Sequence, residues 1–212
     1  MRNILILTLL LLLLAACTPN QALPEIDTDA GTPSAAGVSQ VSPCGLPPIT
    51  IPTLPAEIPG YAQLDETTGL HVTGTPPEID FNSYRLSVTG LVENPLSLTY
   101  EELRCLPKVT DDPLLACWGY FEDVANWSGV LLYDILQQAK PLEEATTVTL
   151  ISADGYSAEI SLGVAMDQKS FLAYEWEGRP LPVLHGFPLR AVIPTREGLY
   201  WVKWLVEINI SD

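Results

Sequence analysis

His185-Gly186-Phe187-Pro188-Leu189-Arg190-Ala191-Val192-Ile193-Pro194 and, after a six-residue loop, Trp201-Val202-Lys203-Trp204 form the stretch on which the reading of this chain turns. Leu189 to Pro194 is an apolar strand. Trp201 to Ile210 alternates apolar and polar residues and reads as a terminal strand, with Lys203 held on it between Trp201 and Trp204. Arg179, Arg190, Arg196 and Lys203 fall close together, although only nine Lys and Arg residues follow Asp80. An acidic chain that gathers its few cations is either building an anion site or pairing them at the surface with Glu175, Glu177 and Glu197. Charge alone supports both.

Working outward, Tyr84 to Val92 alternates as a half-buried strand does, and Asn94-Pro95 turns the chain. Thr99 is placed to cap a short helix, with Glu101 and Glu102 in its first turn and Pro107 ending it. Pro113 to Trp118 is an apolar run leading to Cys117. Leu132, Ile135 and Leu136 share one face of a helix over Leu131 to Ala139. Thr146 to Ser152, the turn Asp154-Gly155 and Tyr156 to Ile160 make a hairpin. Leu162 to Met166 is a helical turn, and Ser170 to Trp176 a strand closed by Glu177-Gly178. Short strands with a few short helices give an α+β domain over 61–212.

The start of the chain speaks for location. Arg2, an apolar run from Ile4 to Leu14, and Leu14-Ala15-Ala16-Cys17 have the order of a bacterial lipoprotein signal over 1–16, with Cys17 lipidated as the new N-terminus. The run is shorter than the roughly 20 residues a spanning helix needs. The mature protein is expected outside the cytoplasm, lipid-anchored to the cell membrane. Residues 17–60 read as a Pro-rich tether, semi-rigid around Pro47-Pro48 and Ile51-Pro52-Thr53-Leu54-Pro55. The formal charge is −16, and becomes −17 once Arg2 is removed. No Lys or Arg lies between Cys17 and Asp80. Such a chain is a poor partner for nucleic acid or an anionic bilayer surface.

Several chemistries are excluded. There is no phosphate-binding glycine loop, no Gly-x-Ser-x-Gly and no His-Glu-x-x-His, and two histidines rule against a multi-histidine metal site. With Cys17 lipidated, Cys44, Cys105 and Cys117 remain, an odd number from which one thiol stays free in an oxidising compartment. Alone, Cys117 would read as a small buried cysteine.

The pieces taken in order carry more. Gly90-Leu91-Val92-Glu93-Asn94-Pro95-Leu96-Ser97-Leu98, the Glu101-Glu102-Leu103 helix, Cys117, Trp127-Ser128-Gly129-Val130, Asp154-Gly155-Tyr156, Leu172-Ala173-Tyr174, and the two segments that open this section run from Tyr84 to Ile210. Together they closely resemble the molybdopterin-binding domain of the sulfite oxidase family. The resemblance implies a mixed-sheet α+β fold and a molybdenum cofactor. It implies that the Cys117 thiolate binds molybdenum beside the dithiolene sulfurs of the pterin, a soft donor for a metal already held by sulfur. His185 and Arg190 match the stretch that holds the pterin and its phosphate, where Arg190 would offer a planar fork of donors. Without the resemblance, they would read as a satisfied turn histidine and a surface ion pair. Lys203 matches a lysine near the cofactor, Arg196 sits in a loop within reach of phosphate or substrate, and His71 is a further cofactor-side candidate. With Cys117 on the metal, Cys44 and Cys105 are left to pair and pin the tether, while a Cys105–Cys117 bridge is the rival that would abolish metal binding.

The chain departs from the fuller sulfite oxidases in ways that set expectations. No C-terminal immunoglobulin-like dimerisation domain follows Lys203, so dimerisation by that route is not expected. No haem domain is present, so electrons would pass to or from a separate partner. Ala116-Cys117-Trp118-Gly119-Tyr120 lacks the basic residues expected beside a sulfite site. The expected function is a membrane-tethered molybdenum oxidoreductase transferring an oxygen atom to or from a small substrate. The alternatives are a non-catalytic binding module that reuses the fold and, less supported, a scaffolding lipoprotein.

Overall fold

The computed structural model describes residues 42–212. The expected signal over 1–16, Cys17 and the tether up to residue 41 lie outside them. No helix among the described residues is long and apolar enough to cross a membrane. Residues 42–60 form no helix or strand element. They are nonetheless held: a disulfide joins Cys44 to Cys105 with Cα atoms 5.7 Å apart. The Arg104 guanidinium donates to the Pro47 carbonyl, and Ile51 packs against the core.

The elements in chain order are β1 (Leu64–Asp65), β2 (Leu70–His71), β3 (Leu86–Gly90), β4 (Leu96–Leu98), α1 (Tyr100–Arg104), β5 (Lys108–Asp111), β6 (Leu114–Cys117), β7 (Phe121–Val124), β8 (Trp127–Leu131), α2 (Leu132–Ala139), β9 (Thr147–Ser152), β10 (Ser157–Ser161), α3 (Leu162–Ala165), β11 (Phe171–Trp176), β12 (Arg179–Pro180), β13 (Arg190–Val192) and β14 (Leu205–Ser211). Two short 3-10 turns cover Val183–His185 and Gly198–Tyr200. A five-stranded sheet runs β10-β9-β14-β3-β4, and a second runs β12-β11-β8-β5 with β13 also on β11. All neighbours are antiparallel except β14 and β3. This is the mixed-sheet α+β architecture expected.

Local chemistry accounts for the elements. The Thr99 side chain accepts from the Glu102 N–H while Glu102 accepts from the Thr99 N–H, a complete capping box that starts α1. Leu132, Ile135, Leu136 and Ala139 are the buried stripe of α2. In β9 the residues Val148, Leu150 and Ser152 face inward, with the alternation of a half-covered strand. β8 is different: Trp127, Ser128, Gly129 and Val130 are all buried. Its two-sided cover removes the alternation that marks a strand in sequence. At its centre Gly129 opposes Ala173, and a Cβ there would sit 1.8 Å from the Leu172 carbonyl oxygen.

One expected element is corrected. Trp201 to Trp204 does not belong to the last strand, which begins at Leu205. Trp201, Val202 and Trp204 are all buried, and Lys203 turns inward as well, donating to the carbonyls of Thr73 and Leu184. The segment is therefore enclosed rather than pleated, and Trp204 takes a positive φ of 51° to leave it.

Gly129→Ala is expected to cost more than about 3 kcal/mol, because backbone of β11 must move to admit the methyl group. Gly163→Ala in α3 meets only Ser161 Oγ at 4.0 Å and should change stability by no more than about 1 kcal/mol, in the stabilising direction. Denaturant unfolding of the two variants beside wild type checks the contrast.

Candidate functional site

A cleft of about 330 Å³ lies where both sheets meet the β6–β7 hairpin. The hairpin sets its first wall. Cys117 opposes Phe121 and Leu115 opposes Asp123, and cross-strand partners point to the same face. Leu115, Cys117, Phe121 and Asp123 therefore face the cleft together, and all four line it. The turn beyond Cys117 leaves Trp118 and Tyr120 in solvent, with the Tyr120 N–H closing on the Cys117 carbonyl at 3.0 Å. Because Cys44 and Cys105 are bridged, Cys117 is the free thiol among the described residues. Burial pushes its pKa up, and the charges of Asp123 and Glu197 push the same way.

Strand β2 brings His71 against this wall. His71 Nδ1 lies 2.7 Å from Asp123 Oδ1, its backbone N–H donates to Asp123 Oδ2 at 2.9 Å, and its ring stacks on Phe121 at 4.5 Å. The Asp123 carboxylate can only accept, so Nδ1 carries the proton of this bond.

The opposite wall is cationic and dry. Arg190 on β13 is only 4% exposed. Its guanidinium stacks over Trp127 at 4.6 Å and Trp201 at 5.7 Å. Nη1 donates to the His185 carbonyl at 3.2 Å, and among the described residues no carboxylate pairs with the group and Nε has no partner. Burial lowers its pKa to about 10, opposed only by the more distant Asp123. Lys203 lies over the Trp204 ring at 4.3 Å. Burial, with Arg190 adding like charge, lowers its pKa to about 7.

His185 sits between these cations and a small acidic knot. Its Nε2 is 2.9 Å from Thr68 Oγ1 and 3.1 Å from Asp65 Oδ2. Burial lowers the His185 pKa to about 4 against the hydrogen bond and charge of Asp65, with the charges of Arg190 and Lys203 acting in the same direction as burial. Burial acts to raise the Asp65 pKa, yet hydrogen bonds from Thr67, His185 and Thr68 outweigh it and lower the value. At neutral pH, His185 is a neutral ring donating from Nε2, with Nδ1 free to accept. Gly186 must follow: its φ is +115°, and a Cβ would lie 2.9 Å from Arg190 Cβ.

The structure thus brings His71, Cys117, His185, Arg190 and Lys203 to one cleft. Arg196 is not among its lining residues. It is exposed, with Nη1 donating to the Thr195 carbonyl. Arg179 is also elsewhere, stacked on Trp176 at 5.0 Å. The sequence reading missed Asp65, Thr68, Asp123, and the tryptophan faces of Trp127 and Trp201. Asp123 carried one usable signal, an acidic residue on the same parity as the inward Phe121. The arrangement offers a soft thiol at one wall and an uncompensated buried cation at the other, and no group of three or more His, Cys, Asp or Glu among the described residues could hold a metal alone.

Residues 73–212 match the family of the oxidoreductase molybdopterin binding domain. The chain belongs to that family. It is 34% identical over 145 residues to an uncharacterized oxidoreductase, YuiH, of Bacillus subtilis, covering 67% of this chain and 72% of that one. It is 32% identical over 166 residues to mitochondrial sulfite oxidase of Rattus norvegicus, covering 64% of this chain and 30% of the relative. The crystal structure of the sulfane dehydrogenase SoxCD from Paracoccus pantotrophus superposes with a TM-score of 0.60 at 29% identity, over 65% of this chain and 40% of that one. The chain therefore spans less than half of sulfite oxidase and of the SoxCD chain. The fold and its molybdopterin cofactor are those of this family, and the domain is a molybdopterin oxidoreductase.

The His185 pKa is depressed in the folded state, so the unfolded chain binds the extra proton. Its contribution to stability is present above about pH 6.5 and is lost as pH falls towards about 4. Stability of the cofactor-free domain should decline across that window. His185→Gln, which cannot be protonated, should flatten the decline, as read from urea midpoints at successive pH values.

Proposed function

We propose that this chain is an extracytoplasmic, membrane-tethered molybdenum oxidoreductase that moves an oxygen atom to or from a small substrate, with Cys117 as the protein's metal ligand. The observation that carries this reading is a free thiol and a buried guanidinium with an unpartnered Nε on the same cleft. A buried cation without a counter-charge is costly unless an anion completes it. A phosphate-bearing cofactor supplies that anion, and a soft thiolate suits a metal held otherwise by sulfur. The residues therefore fit the group.

When bound, the cofactor supplies the two-electron change and the oxygen exchange. The chain's own residues bind and orient it. Arg190 grips phosphate oxygens, with Trp127 and Trp201 keeping its plane fixed and water out. His185, its tautomer set by Asp65, accepts at the pterin edge through Nδ1. Lys203 ties the Thr73 and Leu184 carbonyls together and so holds two loops of the wall at a fixed distance. His71, braced by Asp123, faces the substrate side. Arg196 is assigned no contact with the cofactor.

The sequence from Arg2 to Cys17 supports lipid anchoring outside the cytoplasm, and the Cys44–Cys105 bridge is consistent with an oxidising compartment. The reading includes a separate electron-transfer partner, supported by the likeness to sulfite oxidase and SoxCD.

The test is elemental analysis of protein purified from a host that makes the cofactor. Wild type should carry about one molybdenum per chain, and Cys117→Ser should lose turnover with altered metal spectra. Arg190→Ala should weaken cofactor retention roughly ten- to hundred-fold, the loss expected for a charged hydrogen-bond pair. Wild type without metal or pterin from a host that loads related enzymes, or full activity in Cys117→Ser, would refute the reading.

A further inference from the structure

We infer that the β1–β2 hairpin, which lies ahead of the matched residues 73–212, is a two-faced clasp that fixes both walls of the cleft, with Asp65 as a positioning residue that acts through His185. It rests on the reading of the cleft as a molybdopterin site and adds residues that the family match does not reach.

The β1–β2 hairpin is too small to hold itself. Each strand has two residues, and the pair joins neither five-stranded sheet. A lone hairpin of that size is not stable in water, so its place comes from what its side chains grip. Leu64 opposes His71, and Asp65 opposes Leu70. Opposed residues share a face, and successive residues along a strand take opposite faces. Asp65 and His71 therefore leave the hairpin on different sides.

On one side Leu70 enters the core, and Asp65, only 6% exposed, meets His185. The carboxylate is fully used. Oδ1 accepts from the Thr67 N–H at 3.0 Å and the Thr67 hydroxyl at 2.7 Å. Oδ2 accepts from the Thr68 hydroxyl at 2.9 Å and from His185 Nε2 at 3.1 Å. The bond from the Thr67 N–H is an Asx-turn, which ties the carboxylate to the loop of its own hairpin. Asp65 is not among the residues that line the cleft. It acts there through the ring, by holding the Nε2 proton so that the Nδ1 lone pair is presented.

On the other side His71 donates to Asp123 from both its ring and its backbone. It also stacks on Phe121, the residue opposite Cys117. Tyr61, just ahead of β1, meets Tyr120 in the β6–β7 turn edge to face at 5.9 Å. One small hairpin thus holds a cofactor-side ring on one wall and the thiol-bearing hairpin on the other. A ligand bound at both walls needs their separation fixed.

The experiment uses the full chain with and without cofactor. In isotope-labelled, cofactor-free protein, ring-nitrogen NMR correlations should place the His185 proton on Nε2 and the His71 proton on Nδ1. Asp65→Asn keeps the Asx-turn through its amide oxygen and turns an N–H towards His185, so the His185 proton should move to Nδ1. Asp123→Ala should leave His71 a mixture of tautomers and His185 unchanged. The loaded protein supplies a second readout, the rate of pterin release. Asp65→Asn should speed release roughly ten- to hundred-fold. Added to His185→Gln, the same change should speed it less than about three-fold, because the two residues act as one unit. Asp123→Ala should speed release roughly ten-fold and quicken hydrogen exchange of the β6–β7 amides in the cofactor-free chain. An unmoved His185 proton in Asp65→Asn, release unchanged by either carboxylate variant, or effects of Asp65→Asn and His185→Gln that simply add overturns the inference. Wild type that takes up no pterin in a host that loads related enzymes overturns the underlying reading as well, whereas loaded wild type with indifferent variants overturns this inference alone.

Discussion

A guanidinium buried without a carboxylate governs the cleft. Burying an unpaired charge is among the costliest things a fold can do, and Arg190 is held there by two indole faces and one carbonyl. The neighbours are adjusted to it. His185 is kept neutral, Lys203 is pushed towards neutrality, and Gly186 is required because any side chain would strike Arg190. The site is built around a buried positive charge. In the proposed reading a phosphate-bearing cofactor would balance it.

The scaffold explains why such a site is tolerated. β13 lies on β11, which lies on β8, and the close approach at Gly129 draws β8 tight against β11. Trp127, at the start of β8, is thereby set beneath the Arg190 guanidinium. The second sheet closes separately, with β14 returning beside β3 in parallel and the Tyr84 hydroxyl bonding the Leu205 carbonyl at 2.6 Å. The domain's first long strand and its last thus meet, and the loop 201–204 is enclosed just before that closure. The Cys44–Cys105 bridge holds the arm at the far end of α1 and leaves Cys117 as a thiol.

Much of this was legible in the residues. The alternation of β9, the stripe of α2 and the capping box of α1 are local patterns, each produced by side chains within a few positions of one another. Cys117, His185, Arg190 and Lys203 were identified through an ordered likeness to a family rather than through periodicity. The strand β8 escaped a local reading because it is covered on both faces, which erases the alternation from which a strand is recognised. The segment 201–204 misled in the opposite way, since it alternates in sequence yet is an enclosed loop before the strand that begins at Leu205.

What the sequence determined was the class of fold, the order of most elements, the cofactor family and several of the residues that line the cleft. What only the tertiary structure decided was the company those residues keep. Asp65 and Thr68 meet His185 across more than a hundred positions, Asp123 meets His71 across 52, and Arg196 turns out to solvent while Arg190 and Lys203 line the cleft. Protonation state, ring tautomer and the lack of a counter-charge at Arg190 all follow from such distant contacts. Propensity and spacing act over one turn or one strand, whereas electrostatics and burial depend on whatever the folded chain brings near.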